Sequence, residues 1–300
     1  MTYQPPRALG MLVGSALTLW GVAIAVLLIN HAVAADFGFT VVLTITGALG
    51  AGALAALFGY WTYALGTLSY ALDRNGLVIH WGATRQVVPL SAIERLVPGT
   101  SVGVPSVQGV SWLGYHVGSA WIERIGDVLF YSTHQAPEQV LYVMTSERNY
   151  AISVADPAGF ARQVQIRQDL GPTARVTHHA QRLGSAAQAF WYDPLGRALV
   201  GVALLASFVM WTLVSLRYPG LPAAFELYFP AYENSDLVNV QTKEAILELP
   251  RIATALLVVN LLIGFALHAW ERVAGYVLFI AAAAVQLGFA AAIAMAVRGI

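Results

Sequence analysis

The chain has 300 residues, of which 58% are hydrophobic and 11% charged, against roughly 25% charged in ordinary soluble domains. A soluble fold of this size could not hide so much apolar surface, so lipid must solvate part of the chain. A net charge of zero gives no support to nucleic-acid binding, and the lack of cysteine excludes a disulfide framework, a thiolate metal site and a cysteine nucleophile.

Taken in chain order, Asp, Glu, Lys, Arg and His are absent from 8–29, from 37–72 (apolar centre near 41–63), from 198–216, from 252–267 and from 273–297. Each stretch approaches or exceeds the roughly 20 residues that cross the hydrocarbon core. Five transmembrane helices are therefore predicted, at about 8–29, 40–63, 197–216, 251–268 and 273–297. The fourth is the shortest, which predicts tilt or local bilayer thinning there. Arg7, the first apolar run and Ala32-Val33-Ala34 also resemble a secretory signal with its cleavage site. The run exceeds the usual length of such a core, which favours a retained helix.

Basic flanks give an orientation. Arg7 precedes the first helix, and the loop 30–40 carries Asp36 without Lys or Arg. Arg74, Arg85 and Arg95 follow the second helix, and Arg175, Arg182 and Arg197 precede the third. The loop 217–250 holds two basic and five acidic residues. By the positive-inside rule the N-terminus and the segment after helix two are expected in the cytoplasm, with loop 217–250 outside. Arg298, at the outer end, runs against this pattern. The predicted organisation is a transmembrane hairpin (1–65), a cytoplasmic β-domain (66–170), an interfacial linker (171–196) and a C-terminal membrane domain (197–300).

Between 66 and 170 the pattern changes to short alternating runs. Strands are predicted at 67–72, 77–81, 85–90, 120–125, 128–131, 140–145 and 150–154. Asn75-Gly76 between the first two predicts a type I′ hairpin turn, with φ > 0 at both central positions. Asp156-Pro157 opens a helix, Asp as N-cap and Pro at the first helical position, with Phe160, Val164 and Arg167 on the inner face. Two stretches, YALDRNGLVIHWGATRQVVPLSAIERLVPG (Tyr70–Gly99) and GDVLFYSTHQAPEQVLYVMTSERNYAISVADPAGF (Gly126–Phe160), carry a hairpin, a V-P-L-x-x-I segment and a D-P helix start. In these features 66–170 resembles the bacterial pleckstrin-homology-like domain. The resemblance implies a bent β-sandwich or open barrel capped by a C-terminal helix, and it implies no catalytic activity.

The segment 98–117, with Gly99, Gly103, Gly109 and Gly114 and two prolines, shows no clear period. It reads either as a partner loop centred on Gly99, Gly103, Gly109, Trp112 and Tyr115, or as a flexible edge. In the linker, Arg175, His178, His179 and Arg182 fall at near-helical spacing before Phe190-Trp191-Tyr192. That pattern predicts a segment lying at the headgroups, with Arg182, Trp191 and Tyr192 as interface anchors. Adjacent His178 and His179 point to different helix faces and lack a third ligand, so no metal site is expected. Asp193 and Pro194 are expected to cap the third helix.

Residues 217–264 are similar to an uncharacterised membrane module that also occurs in some bacterial toxin-immunity membrane proteins. Leu221-Pro222, Asp236, Lys243, Leu249-Pro250 and Asn260 keep its order, whereas Tyr228-Phe229 replaces its His-Phe and Asn234 or Ser235 its Gly. Asn260 and Gln286 are the amides inside the spans and are expected to face other helices at different depths.

No serine-hydrolase, zinc-protease or nucleotide-binding motif is present, and no carboxylate falls inside a span. The function expected is a non-catalytic scaffold or sensor, without cofactor or metal. It would present a cytoplasmic β-domain at a bacterial plasma membrane to a membrane or cytoplasmic protein partner or a lipid headgroup. A transporter or transport accessory subunit is the alternative. The sequence does not set the oligomeric state.

Overall fold

The computed structural model describes residues 1–174, 176–182, 190–226 and 240–296. Five helices are long and apolar enough to cross a bilayer. They are α1 (Ala8–Ala34), α2 (Phe39–Gly66), α4 (Pro194–Arg217), α5 (Glu248–His268) and α6 (Arg272–Ala296). The protein is thus a multi-pass membrane protein. Helix α5 begins before the apolar run, with Pro250 in its first turn, where a missing N–H costs nothing. Its 21 residues extend about 31 Å, and Glu248 and Arg251 in the first turn are exposed charges. Several hydroxyls inside the spans bond back to their own helix. Thr18 donates to Gly14 O, Thr46 to Val42 O and Thr62 to Phe58 O, each at 2.8 Å, which leaves no polar group facing lipid unpaired at these positions.

The chain divides into two compact units, 1–24 with 50–183 and 25–49 with 184–300. In the first, two sheets enclose a core. One runs β1 (Thr2–Tyr3), β2 (Ser69–Leu72), β3 (Gly76–Trp81), β4 (Thr84–Pro89), β11 (His179–Arg182). The other runs β5 (Ile93–Pro98), β9 (Val140–Thr145), β10 (Asn149–Ser153), β8 (Gly126–Ser132), β7 (Tyr115–Ile122), β6 (Gln108–Trp112). All pairs are antiparallel except β8 with β10. Tyr70, Leu77, Ile79, Val88, Val143, Tyr150 and Ile152 fill the space between the sheets. Helix α3 (Pro157–Leu170) closes it with buried Phe160 and Val164. As expected, Asp156 caps α3, accepting from Gly159 N at 2.8 Å. Arg167 lies at the rim, where its guanidinium bonds Gln163.

Four features depart from the expectation. Neither Asn75 nor Gly76 has positive φ, so the hairpin turn is not type I′. Asp73 builds it instead, its Oδ1 accepting from Asn75 N at 2.8 Å and Gly76 N at 2.7 Å, while Asn75 turns outward. The segment 98–117 is built, with a 3₁₀ turn at Gly99–Ser101 and a β6–β7 hairpin. Strand β5 lies in a run of mixed polarity, IERLVP, where alternation gave no signal. Finally, His179–Arg182 is a strand paired with β4, not a helix; a short run of basic residues has no period of its own, and the free β4 edge decided its form.

Within the same unit, the domain is seated on the start of α1 and the end of α2. The Arg7 guanidinium donates to Gly66 O, satisfying a carbonyl left open at the C-terminus of α2. Trp112 Nε1 donates to Gly10 O at 3.2 Å, and the Trp112 ring packs with Phe58, Trp61 and Tyr115. The turn carrying Trp112 needs glycine at 114, where φ is 78° and a Cβ would lie 2.9 Å from Gly10 N.

In the second unit, α4, α5 and α6 pack on one another. Met210, Val214, Ala253 and Ile293 form one cluster and Ala203, Leu257, Ala282 and Ala283 another. Phe37 stacks edge-on to Trp211 and Tyr218, and Lys243 lies 5.1 Å over the Tyr218 ring. Strands β12 (Ala224–Glu226) and β13 (Val240–Thr242) pair between α4 and α5. Residues 228, 229 and 234–236 of the module resemblance lie outside the described residues.

Phe160→Ala should destabilise the β-domain by about 3–5 kcal/mol, since it empties the contact between α3 and both sheets. The expected result is a lower urea midpoint for the Trp fluorescence change in nanodisc-held protein.

Candidate functional site

A domain that binds a partner needs a free surface, and the sheet edges are the first place to look. The first sheet ends in β1 and β11, both segments outside the central hairpins. Met1 N donates to Leu72 O at 3.0 Å and Leu72 N returns a bond to Met1 O at 2.8 Å, so the N-terminus covers β2. Tyr3 packs on Phe160 at 5.0 Å. The linker covers β4. Asn75 Oδ1 accepts from Thr173 N, Thr173 Oγ1 and Ala174 N, all at 2.9 Å, and Arg74 donates to Leu170 O at 3.0 Å. His178 then bonds Tyr150 OH at 2.7 Å through Nε2, with Glu147 3.0 Å from Nδ1.

The second sheet ends in β5 and β6. A register irregularity between Ile93 and Arg95, the charges of Glu94 and Arg95, and Pro98 make β5 a poor template for a further strand. Strand β6, QGVSW, has neither charge nor proline. Among the described residues nothing pairs with its outer edge.

The predicted partner loop is split by the structure. Gly109 lies on β6 and is exposed. Gly99 is buried against the turn at Pro137, and Gly103 O accepts from Tyr142 OH at 2.7 Å. Trp112 is taken up by the seat on α1 and α2. Tyr115 is 0% exposed, its oxygen accepting from Trp81 Nε1 at 2.6 Å, and burial raises its phenol pKa. Trp112 and Tyr115 are thus packing residues here, and the open part of the segment is the β6 edge.

Next to that hairpin, His116 and His134 stack with ring centroids 4.1 Å apart. Ser111 Oγ lies 2.8 Å from His116 Nδ1 and Ser132 Oγ 2.9 Å from His134 Nδ1. Burial lowers both pKa values, that of His134 to about 4, with the neighbouring His116 adding to the effect. The neutral pair favours the folded state above about pH 6.5, and that advantage is lost as pH falls through the window down to about 4. Acidification across it should therefore cost the β-domain about 2 kcal/mol through His134, seen as faster amide exchange in β7 and β8. His134→Asn should flatten the dependence.

In the second unit the structure assembles a cluster that sequence reading missed. Asp193, the N-cap of α4, accepts from Leu195 N at 3.0 Å through Oδ1. Its Oδ2 takes bonds from His268 Nε2 and Tyr276 OH, both at 2.7 Å. Three donors on one carboxylate favour its ionised form. Asp193 and His268 are buried; Phe190 meets the imidazole edge-on, Phe279 lies tilted beside it, and Phe265 packs against both phenyl rings. Among the described residues His268 Nδ1 has no hydrogen-bond partner. Glycines at 196 and 275 admit this approach, since a Cβ at 275 would lie 2.7 Å from His268 Cβ. The residues come from three elements up to 83 positions apart, so the only local signal was the Asp193-Pro194 cap. Their chemistry is that of a clamp joining α4, α5 and α6. Trp191, Tyr192 and Trp270 are 67%, 77% and 87% exposed beside this cluster. Arg182 continues the linker strand, paired with Thr84.

Of the intramembrane amides, Gln286 is fully buried and donates to Ala253 O at 2.7 Å, joining α6 to α5. Asn260 is half-buried. Among the described residues, no three His, Asp or Glu side chains are grouped as metal ligands. Asp193→Ala should destabilise the helix unit by about 3–5 kcal/mol, because it removes the cap and strands the buried His268 donor and the half-buried Tyr276 hydroxyl. The check is SDS-titrated unfolding in mixed micelles.

Residues 68–168 match the family model described as "Bacterial PH domain". The matched segment starts at the threshold of β2 and ends in α3, so the strands covering the sheet edges, β1 and β11, are additions to it. No curated protein and no solved structure matches the chain.

Proposed function

We propose that this multi-pass protein, whose residues 68–168 form a bacterial PH domain, is a non-catalytic scaffold or sensor. Its N-terminus and PH domain lie on the cytoplasmic side of a bacterial plasma membrane, and the domain binds a protein partner there. PH domains are interaction modules, which supports a binding role in general. The observation that carries the finer reading is the state of the sheet edges. The chain's own segments cover β2 and β4, β5 is irregular and charged, and among the described residues β6 is the longest edge that is both unpaired and uncharged. An extended peptide added to such an edge gains main-chain hydrogen bonds.

A protein partner is favoured over an anionic headgroup. From 64 to 196 the chain carries nine residues of each charge sign, and in the first hairpin turn Arg74 is engaged by carbonyls of α3 and the linker. Affinity capture from native membranes should recover a partner whose yield falls about tenfold with Gln108→Lys and Ser111→Lys together, since edge charge opposes strand addition. A Glu94→Gln control on β5 should leave recovery unchanged. Loss from both variants or from neither removes β6 as the site. Salt-sensitive flotation of the protein with anionic liposomes, beyond that of its own bilayer, would assign the domain to lipid instead. Protease added outside intact cells should leave the β-domain uncut.

The transport alternative gains one specific observation, the buried Asp193–His268–Tyr276 cluster, because ionisable groups packed among membrane helices mark ion paths in other proteins. Proteoliposome flux measurements decide it. A robust proton or solute flux, abolished by His268→Leu, would replace the scaffold reading.

A further inference from the structure

A pocket of about 230 Å³ lies on the outer face of the first sheet, away from the β6 edge. Its lining follows from strand alternation. Leu77, Ile79, Gln86 and Val88 face the core, so Gly76, Val78, Arg85 and Val87 face outward. Val78 and Val87 are directly paired and make an apolar floor. Val176 and His179 of the linker form the opposite wall, and Asp73 and Asn75 close one end.

The polar groups around this floor are unequally committed. Asn75 Oδ1 already accepts three bonds from the linker, and His179 Nδ1 bonds Thr177 O at 2.8 Å. Asp73 uses Oδ1 for the turn, which leaves Oδ2 available. Among the described residues the Arg85 side chain has no hydrogen bond or ion pair. The pocket therefore has a free cation at one end, a free carboxylate oxygen at the other and two valines between. Arg85 pairs with His80 and Gly76 with Pro89, so about 13 Å of strand separates the two ends before side-chain reach shortens it. A 150 Å³ cavity holds benzene, so this volume has room for about nine heavy atoms.

We propose that the pocket binds a small zwitterion in which a short aliphatic chain separates a carboxylate from an ammonium group. The carboxylate takes the Arg85 guanidinium, the methylenes lie on Val78 and Val87, and the ammonium reaches Asp73. A dicarboxylate of the same length meets Asp73 with like charge and is rejected. Because Val176 and His179 belong to the linker, the bound molecule also bridges linker and sheet and holds β11 on β4. This site is independent of the β6 reading.

The test uses the full chain in nanodiscs of zwitterionic lipid, with 5-aminopentanoate as probe and pentanoate and adipate as comparisons. Saturation-transfer NMR should show saturable binding of 5-aminopentanoate, with pentanoate weaker and adipate weakest. Arg85→Gln should weaken 5-aminopentanoate about tenfold, and Arg85→Lys should restore part of the loss. Asp73→Asn, which keeps the Oδ1 acceptor of the turn, should bring 5-aminopentanoate to the level of pentanoate. Amide exchange in β11 should slow at saturation. No saturable signal at roughly 10 mM probe, equal binding by Arg85→Gln, or adipate binding as well as 5-aminopentanoate would each overturn the assignment. So would unchanged exchange in β11.

Discussion

An exposed strand edge is a row of backbone donors and acceptors that must be paired with something, whether water, a neighbouring segment or another chain. In this protein that constraint organises the whole β-domain. The segments that pair with the first sheet's edges are the ones that lead toward its apolar helices. Strand β1 runs into α1 after four residues, and α2 runs into β2 after two. Strand β11 ends the part of the linker described after α3. Closing the edges and fastening the domain to its helices are therefore one set of hydrogen bonds. Met1 and Leu72 exchange bonds on one side, and His179–Arg182 ladders onto β4 on the other.

The seat beneath the hairpin rests on a second constraint, close backbone approach. Trp112 reaches Gly10 O only because no side chain stands at 10 or 114. The aromatic rings of Phe58, Trp61, Trp112 and Tyr115 then fill the space around that contact. A large apolar side chain on a glycine-rich hairpin looks like a surface anchor when read alone. Here Gly10, Phe58 and Trp61, between 51 and 102 positions earlier in the chain, take it up, and it serves packing.

Charge is handled in the opposite manner in the two units. In the β-domain the acidic and arginine side chains sit at the rim, and half-buried His116 and buried His134 have their pKa values lowered by desolvation. In the helix unit one carboxylate, Asp193, is buried and compensated by three donors at once. Such a cluster costs desolvation, and it returns geometric definition, because only one relative placement of α4, α5 and α6 satisfies Asp193, His268 and Tyr276 together.

The five spans were legible because hydrocarbon imposes a length and a composition that no local context can override. The N-cap of α3 and the hairpins around 72–77 and 81–84 were legible because turn and cap chemistry acts within four residues. The resemblance to a bacterial PH domain rested on those same local features, and the family match bears it out. What the sequence could not determine was anything set by a distant partner. Whether QGVSW and HAQR become strands depends on β7 and β4 offering an edge, since neither run has a period of its own. Whether Tyr115 is a binding residue or a core residue depends on the fold around it. The Asp193 cluster exists only when three helix ends, far apart in the chain, converge. Tertiary structure decided these points because backbone pairing and buried charge are satisfied in space, by residues whose separation along the chain carries no pattern.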